Sequence, residues 1–203
     1  MDNMRTSSSN ARARAPRRAR GRERVAALLE GAVAVFADKG FDGATMTEIA
    51  ARAGAAIGSL YQFFPTKELL AEAILVRDTA VLIERLSGFE AAAAGWSPSV
   101  LADHLVPVLM EFRADHPAFA ILLETPGAPA QHAQAAGREV RARVRAILAA
   151  AAPGRPAPLL DAAAAAVQQV MKGAVAVAAD PIGAAALDEL KTMLRLYLAD
   201  RLG

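Results

Sequence analysis

The segment Thr45–Leu70, TMTEIAARAGAAIGSLYQFFPTKELL, contains two short helical patterns and the beginning of a third. Gly54 and Pro65 separate these patterns, and Thr45 with Glu48 forms a T-x-x-E capping box at the start of the first. Helices this short are not stable alone in water, so each must pack on a neighbouring helix. Two short helices joined by a tight glycine turn, with another helix packed behind them, are typical of a helix-turn-helix.

Apolar residues recur at helical spacing along the rest of the chain, and no segment alternates as a strand does. The 203 residues are 54% apolar, rich in Ala and poor in aromatics, which favours closely packed helices. The sequence therefore predicts an all-α protein of about nine helices, with the segment SGFEAAAAGWSPS as a loop after the fourth. The expected helices cover about 25–38, 45–53, a short one ending near 64, 67–86, 98–114, a short one from 117, 131–151, 158–179 and 182–202.

The positive charge of the chain is concentrated at its N-terminus. Residues 1–24 hold eight Arg and two acidic residues, whereas the remaining residues hold 15 basic and 19 acidic ones. A basic arm on a mildly acidic body favours a polyanionic partner, but a solvated tail and an organelle transit peptide remain alternatives. We expect a disordered basic arm over 1–22, a helix-turn-helix domain over 23–67 and a larger helical domain over 68–203.

Several protein classes are disfavoured by what the sequence lacks. It has no Cys, which excludes disulfides and thiolate metal sites and fits a cytoplasmic protein. No apolar run reaches the roughly 18 residues that a membrane span needs. The three His lie outside any HExxH motif, and no phosphate-cradling or nucleophile-elbow motif occurs. We therefore expect no catalytic residue, cofactor or metal site, with a helical enzyme as the least favoured alternative.

Helical spacing separates a buried from an outward face in the second short helix. Leu60 and Phe64 are spaced to pack against the first helix, which leaves an outward or peripheral surface of Ile57, Ser59, Tyr61, Gln62 and Phe63. A tyrosine hydroxyl can donate to a phosphate, and a glutamine amide can pair with adenine in the major groove. This surface is therefore a candidate for reading DNA.

Two further residues, Thr47 and Lys67, lie in first turns of helices, where anions bind favourably. They are candidates for holding phosphates of the DNA backbone. Thr45 is also a candidate DNA contact. Simpler roles are open for three of the candidate DNA contacts: Thr45 as a helix cap, Tyr61 as a half-buried aromatic and Lys67 as a solvated lysine.

The segment Ala32–Ile74 resembles the DNA-binding domain of TetR/AcrR-family transcriptional regulators. The matching positions are Phe36, Gly40, Thr45, Thr47, Ile49, Ala50, Ala53, Gly54, Gly58, Leu60, Tyr61, Phe64, Lys67, Leu69 and Leu70. The resemblance implies phosphate contacts from Thr47, Tyr61 and Lys67. The base-facing positions that it implies are Ile57, Gly58, Ser59 and Gln62. Ala56 departs from the usual Ser or Thr cap, and Gln62–Phe63 departs from the usual His or Tyr pair.

One helix-turn-helix contacts too few base pairs for useful specificity, so we expect a homodimer on a two-fold related operator in double-stranded DNA. The basic arm is expected to follow the minor groove or the phosphates, and its candidate contacts are Arg17, Arg18 and Arg20. The last two helices carry the apolar faces for dimerisation, which the resemblance implies is a four-helix bundle. The predicted interface is Val167, Val170, Val175, Leu187, Leu190, Leu194, Tyr197 and Leu198, with Met193 and Leu196 at its side. The alternative is that both helices complete the core of the monomer.

The resemblance also implies a small-molecule pocket in the larger domain. The candidate lining residues are Trp96, His104, Met110, Phe112, Phe119, Leu123, Gln168 and Met171, for most of which a place in the core is the simpler role. Abundant Ala and few polar groups favour an apolar effector. The predicted function is a ligand-responsive transcriptional repressor, and the main alternative is an architectural DNA-binding protein without an effector.

Overall fold

The computed structural model describes residues 7–125, 130–178 and 180–203, with side chains for all of these except 7–19, 124, 130, 131 and 133. Within those ranges the chain forms nine helices and no strand, which confirms the predicted fold class. In chain order they are α1 (Ser7–Gly43), α2 (Met46–Arg52), α3 (Ile57–Phe63), α4 (Lys67–Ala92), α5 (Pro98–Asp115), α6 (Pro117–Glu124), α7 (Ala130–Ala151), α8 (Ala157–Ala178) and α9 (Gly183–Leu202). None of the helices in the described part of the chain is long and apolar enough to cross a membrane.

The described chain divides into two compact units. The first unit comprises Met1–Ile74 with Ile121–Ala128, and the second comprises Leu75–Ala120 with Pro129–Gly203. The division falls between Ile74 and Leu75, inside the continuous helix α4, whereas the sequence predicts a boundary at the start of that helix, at residue 67. Its first two turns bury Leu70 completely, so this part of α4 completes the core of the first unit.

The first helix begins earlier than the sequence predicts. A disordered arm is expected over residues 1–22, whereas α1 starts at Ser7. Ala and Arg dominate this segment and are both strong helix formers, so a helix can extend beyond the amphipathic part that packs. Regular helix stops at Gly40, whose φ of 71° and ψ of 176° suit glycine. The stop at Gly40 is as predicted.

The core of the first unit brings α1 close to the helix-turn-helix. Leu28, Phe36, Ile49 and Leu60 are all fully buried in it. A Cβ on Gly31 of α1 would lie 2.9 Å from the Cβ of Ala53 and 3.0 Å from a backbone oxygen of α2. The two helices can therefore approach this closely only because residue 31 has no side chain.

A Schellman motif makes the turn between α2 and α3. The amide of Ala55 donates to the carbonyl of Ala50 at 2.9 Å, and that of Gly54 donates to Ala51 at 3.1 Å. Gly54 takes a φ of 60°, which only glycine adopts without strain. The predicted stop at Gly54 is confirmed, and its geometry sets the direction in which α3 leaves α2.

The second unit is a bundle of long helices held by apolar burial. In it α5 packs against α8 and α9, α7 packs against α8, and α8 packs against α9. Phe112 of α5, Ile147 of α7, Met171 of α8 and Leu198 of α9 are completely buried. Among buried polar groups, Asp78 accepts from Arg77 Nε at 2.8 Å and lies 3.5 Å from His116 Nδ1.

The fourth helix is longer than expected, because it continues through six residues that the sequence assigns to a loop. Ser87 donates its hydroxyl to the carbonyl of Ile83 at 2.8 Å, so its polar group is satisfied within the helix. Glu90 pairs with Arg143 of α7 at 3.1 Å. The turn comes only at Gly95, which has a φ of 79°. The contact between Glu90 and α7 thus stabilises as helix a segment that the sequence, with its Ser and Gly, assigns to a loop.

Candidate nucleic-acid interface

The helix-turn-helix begins at the predicted capping box. The amide of Glu48 donates to Thr45 Oγ1 at 3.3 Å, and the amide of Thr45 donates to Glu48 Oε2 at 3.1 Å. The Thr45 hydroxyl also donates to Glu48 Oε2 at 2.8 Å. Thr45 therefore acts as a helix cap, the simpler of its two predicted roles, because its hydroxyl both donates to Glu48 and accepts from Glu48.

An ion pair joins this cap to the end of α1. Lys39 Nζ lies 2.5 Å from Glu48 Oε1. The hydrogen bond from Lys39, with the contacts from Thr45, lowers the pKa of Glu48 below its usual 4.5. Glu48 in turn raises the pKa of Lys39 above 10.5. The pair links the start of α2 to the helix that supports it.

The outward face of α3 matches the surface predicted for reading bases. Leu60 is fully buried and Phe64 nearly so, whereas Tyr61 is 50% exposed and Gln62 is also exposed. The remaining exposed residues of this helix are Ile57, Gly58 and Phe63. Ala56 provides no side-chain hydrogen bond at the N-cap of α3, as its departure from the usual Ser or Thr implied.

Gly58 has no structural requirement to be glycine in this fold. A Cβ built on it meets nothing within 4 Å, and its φ lies outside the left-handed region. Alanine would suit a helix better at such a position. The missing side chain leaves the backbone of α3 open to a molecule that approaches from outside, and the contact with base edges stays a prediction.

Ser59 differs from its neighbours on α3 because it is half-buried and lies beside α1. Arg24 Nη1 donates to Ser59 Oγ at 3.5 Å, which brings an exposed guanidinium next to the outward face of α3. The sequence places Arg24 in a basic stretch but does not single it out. The signal was available, since Arg24 precedes the buried Leu28 by one helical turn.

Lys67 is placed differently from the prediction that it holds a DNA phosphate. Its Nζ donates to the carbonyls of Phe41 at 2.6 Å, Ala44 at 3.0 Å and Asp42 at 3.3 Å. It also lies 4.6 Å from the centroid of the Phe41 ring. An ammonium group has three donors, and here three carbonyls take them. Lys67 thus joins the start of α4 to the turn before α2, and a phosphate would compete with those carbonyls.

Of the other predicted phosphate contacts, two are exposed and two have side chains outside the described part of the chain. Thr47 is exposed on the first turn of α2, and Arg20 is exposed on α1. The side chains of Arg17 and Arg18 lie outside the described residues.

The predicted dimer interface contains residues that the monomer itself buries. Leu194 and Leu198 of α9 and Val167 of α8 are almost completely buried in the second unit, so they are unavailable to a partner chain. The most exposed apolar residues of α9 are Met193 (60%) and Leu196 (68%), which the sequence places only at the side of the interface. The half-buried members of the predicted set are Val170, Val175, Leu187, Leu190 and Tyr197.

The residues of the predicted ligand pocket divide among separate contacts in the part of the chain that the structure describes. The rings of Trp96 and His104 are in contact, with centroids 4.4 Å apart and planes tilted by 33°. Phe112 and Met171 lie in the core with Phe119, as the simpler role requires. Gln168 is buried and donates to the carbonyl of Gly137 at 2.6 Å, so it ties α8 to α7. Met110 and Leu123 are half-buried.

A different cleft of about 220 Å³ lies between α4 and α7 in the second unit. We call it the α4–α7 cleft; its lining residues are Leu75, Val76, Thr79, Ala80, His132, Ala135, Ala136 and Glu139. Val76 is 54% exposed, although it is apolar. The cleft combines an apolar wall with three polar side chains, as small-molecule sites commonly do. None of the eight predicted pocket residues lines it.

The described residues contain no group of three or more His, Asp or Glu arranged to hold a metal ion. His104 Nδ1 lies 2.9 Å from the Val100 carbonyl of its own helix. His116 stacks on Phe112 with centroids 4.2 Å apart. Both rings therefore have structural contacts.

Two family profiles match the chain. One is described as bacterial regulatory proteins, tetR family, and matches residues 28–74; the other is a tetracyclin repressor-like C-terminal domain and matches residues 97–198. No curated protein matches the chain by sequence. The profiles confirm the resemblance seen in the sequence and extend it over the second unit.

Several solved structures share the fold. A transcriptional regulator from Rhodococcus sp. Rha1 is 24% identical, with a TM-score of 0.65 over 88% of this chain and 95% of its own. FadR from Bacillus subtilis, solved with stearoyl-CoA, is 18% identical, with a TM-score of 0.64 over 83% and 96%. SmeT, solved with triclosan, is 19% identical, with a TM-score of 0.64 over 87% and 90%. At these identities the likeness shows the fold alone.

Proposed function

The chain belongs to the TetR family of bacterial regulatory proteins, and on that premise we propose that it is a homodimeric repressor released from its operator by a small molecule. The observation that carries the DNA-binding part is the outward face of α3. There Gly58, Tyr61 and Gln62 are exposed while Leu60 on the opposite side is fully buried. A helix that is anchored on one face and presents Tyr61 and Gln62 on its exposed surface suits the major groove.

The residues of α3 would make different contacts with DNA, according to their chemistry. The Tyr61 hydroxyl would donate to a phosphate, which positions the helix. The Gln62 amide would contact a base edge, and Gly58 would let the backbone come close to it. Arg24 adds a cation beside this face. Thr47 remains the proposed phosphate contact on α2.

We propose that the dimer forms through α8 and α9, with a different set of residues at its centre from the one predicted. Met193 and Leu196 supply the exposed apolar groups of α9. On α8 a stripe of small or exposed residues at helical spacing would permit close approach of the partner helix: Ala162, Ala166, Gln169, Gly173 and Ala176. A Cβ on Gly173 meets nothing within 4 Å, so the chain itself leaves this stripe open.

The effector is proposed to bind in the α4–α7 cleft. Its size favours a small, mainly apolar molecule with one polar group, facing Thr79, His132 or Glu139. SmeT was solved with triclosan and FadR with stearoyl-CoA, and of these two the smaller suits this cleft. One wall of the cleft belongs to α4, the helix whose first turns lie in the DNA-binding unit. A ligand that moves α4 would change the spacing of the two recognition helices and release the operator.

Triclosan is therefore the first probe of the effector site. It should raise the midpoint of thermal unfolding and lower the affinity for operator DNA. Val76→Trp, which fills the cleft from α4, should abolish both responses. Val81→Trp is the matched control, because Val81 is also exposed on α4 but does not line the cleft. If both variants respond like the wild type, the effector binds elsewhere.

The decisive test of DNA recognition is the selection of bound fragments from genomic DNA by the full chain. We expect recovered sites with two half-sites related by a two-fold axis and one or more helical turns apart. Such a regulator acts in the cytoplasm and needs neither catalysis nor a cofactor. Fragments without a shared sequence would favour the architectural DNA-binding alternative.

A further inference from the structure

The second unit has another concave surface, formed where α7 faces α8. It is a cleft of about 320 Å³ lined by Arg138, Arg141, Ala142, Arg145, Asp161 and Ala164. We call it the arginine cleft. None of its residues lines the α4–α7 cleft, and none belongs to the proposed DNA-binding or dimer surfaces.

The three arginines share one side of α7. Positions 138, 141 and 145 are separated by three and four residues, which places their side chains next to one another on a helix. Like charges at these spacings repel and destabilise the helix. Residues 25–203 carry more acidic than basic groups, so this concentration of positive charge is a local feature.

The neighbouring acidic groups compensate only part of this charge. Arg145 Nε lies 2.5 Å from Asp161 Oδ1 of α8, while Arg143, on another side of α7, pairs with Glu90 at 3.1 Å. Arg138 and Arg141 are exposed and make no ion pair with any residue that the structure describes. Three guanidinium groups facing one carboxylate leave two positive charges uncompensated in the cleft.

The geometry of the cleft suits a small oxyanion. Guanidinium groups form paired hydrogen bonds with carboxylate and phosphate oxygens. Ala142 and Ala164 are small, so they leave room for an anion between the arginines. Asp161 pairs with Arg145, so it keeps that guanidinium in the cleft but competes with an anion for it. The volume is that of a small-molecule site and does not suit the extended backbone of a nucleic acid.

We propose that the arginine cleft binds a small molecule with at least two negative charges on oxygen, such as a phosphate ester or a polycarboxylate. Arg138 and Arg141 bind the anion directly, and Arg145 completes the site from its position beside Asp161. This site is separate from the effector cleft, so the inference does not depend on the proposed repressor mechanism.

Isothermal titration calorimetry of the full chain tests this proposal, with pyrophosphate and citrate as probes at constant ionic strength. We expect one site per chain for at least one probe. Replacing both exposed arginines, R138Q with R141Q, should weaken binding about tenfold or more, since each substitution removes charge-assisted hydrogen bonds. D161N should strengthen binding several-fold, because Asp161, the carboxylate that lines the cleft, no longer competes with the anion for Arg145.

The matched control is R143Q, which removes an arginine from the same helix but outside the cleft. It should bind both probes like the wild type, and thermal unfolding should show that all variants are folded. Equal losses in R143Q and the double variant would mean general charge screening and would overturn the proposal. So would the absence of binding for both probes. It would also fail if the double variant lost DNA affinity instead, because the cleft would then contact nucleic acid.

Discussion

The short helices of the first unit share a buried core and have their ends fixed by polar contacts and a glycine turn, whereas the long helices of the second unit are held mainly by apolar burial. In the first unit, the Thr45–Glu48 cap, the Gly54 turn and the ammonium of Lys67 each fix one helix end. In the second, α5, α8 and α9 pack through fully buried side chains such as Phe112 and Leu198. Directional contacts suit a unit that must present α3 accurately, and burial suits a body that supports clefts.

The largest effect is expected where burial dominates, at Leu198. Leu198→Ala should lower the free energy of unfolding by about 2–5 kcal/mol, because it leaves a cavity in the second unit. Leu196→Ala removes the same atoms from an exposed position, 68% accessible, and should change the stability of the monomer by less than about 0.5 kcal/mol. Denaturant unfolding at a protein concentration where the chain is monomeric measures both.

The same pair separates core from interface. Leu196→Ala should shift the dimer towards monomer in light scattering as the chain is diluted. Leu198→Ala should act mainly through folding. A variant at Leu196 that dimerises normally, together with one at Leu198 that remains stable but monomeric, would restore the interface that the sequence predicts.

The next largest effect on stability is expected at Lys67, which contributes through hydrogen bonds and not through apolar burial. Lys67→Met leaves three carbonyls without their donor and should cost about 1–3 kcal/mol of stability. Because the ammonium is already engaged, the slope of DNA affinity against salt concentration should stay unchanged. Lys172→Met, at an exposed position on α8, is the control and should alter neither quantity. Normal stability with a salt slope reduced by about one would show that Lys67 holds a phosphate.

A third prediction separates recognition from folding within α3. Gly58→Ala should stabilise the helix by up to about 1 kcal/mol, since its Cβ meets nothing in the chain. It should weaken operator binding about tenfold or more, equivalent to about 1.4 kcal/mol, if the backbone approaches the bases here. Gly88→Ala is matched, because its Cβ also meets nothing, and it should leave DNA affinity unchanged. Similar DNA affinities for both variants would remove Gly58 from the interface.

The smallest effect is expected at Glu48, an exposed member of the cap. Its pKa in the folded chain is below the usual 4.5, chiefly because of Lys39. A carboxyl group with a lowered pKa stabilises the folded state at pH values above its pKa in the unfolded chain. That contribution is lost as the pH falls through its pKa in the folded chain. The unfolding midpoint of the wild type should therefore fall more steeply than that of Glu48→Gln below pH of about 5. Parallel curves would show that the ion pair contributes nothing measurable.

Features that depend on neighbouring residues were predictable from the sequence. The capping box needs only Thr45 and Glu48 three residues apart, and a left-handed turn needs glycine at Gly54. Helical periodicity predicted the buried Leu60 and the exposed Tyr61 on opposite faces of α3. Both outcomes follow from short-range geometry, which the chain carries in any context.

Features that depend on distant residues were not predictable in the same way. Lys67 meets carbonyls more than twenty positions earlier, and its spacing alone equally suits a phosphate contact. Leu194 and Leu198 lie on the same apolar helix as Leu196, and only the packing of α5 and α8 against α9 decides which of them is buried. The predicted pocket residues show the same limit, since an aromatic at helical spacing fits a core as well as a cavity.

The sequence by itself determined the all-α fold, the helix-turn-helix and the family, because periodicity, caps and glycine turns act over a few residues. The tertiary structure alone decided which apolar faces remain open, where the clefts lie and what Lys67 contacts. Burial and hydrogen bonding at those positions depend on which helices meet. The arginine cleft depends on both. The spacing of its three arginines on α7 is visible in the sequence, but only the position of Asp161 in the fold shows how much positive charge remains uncompensated.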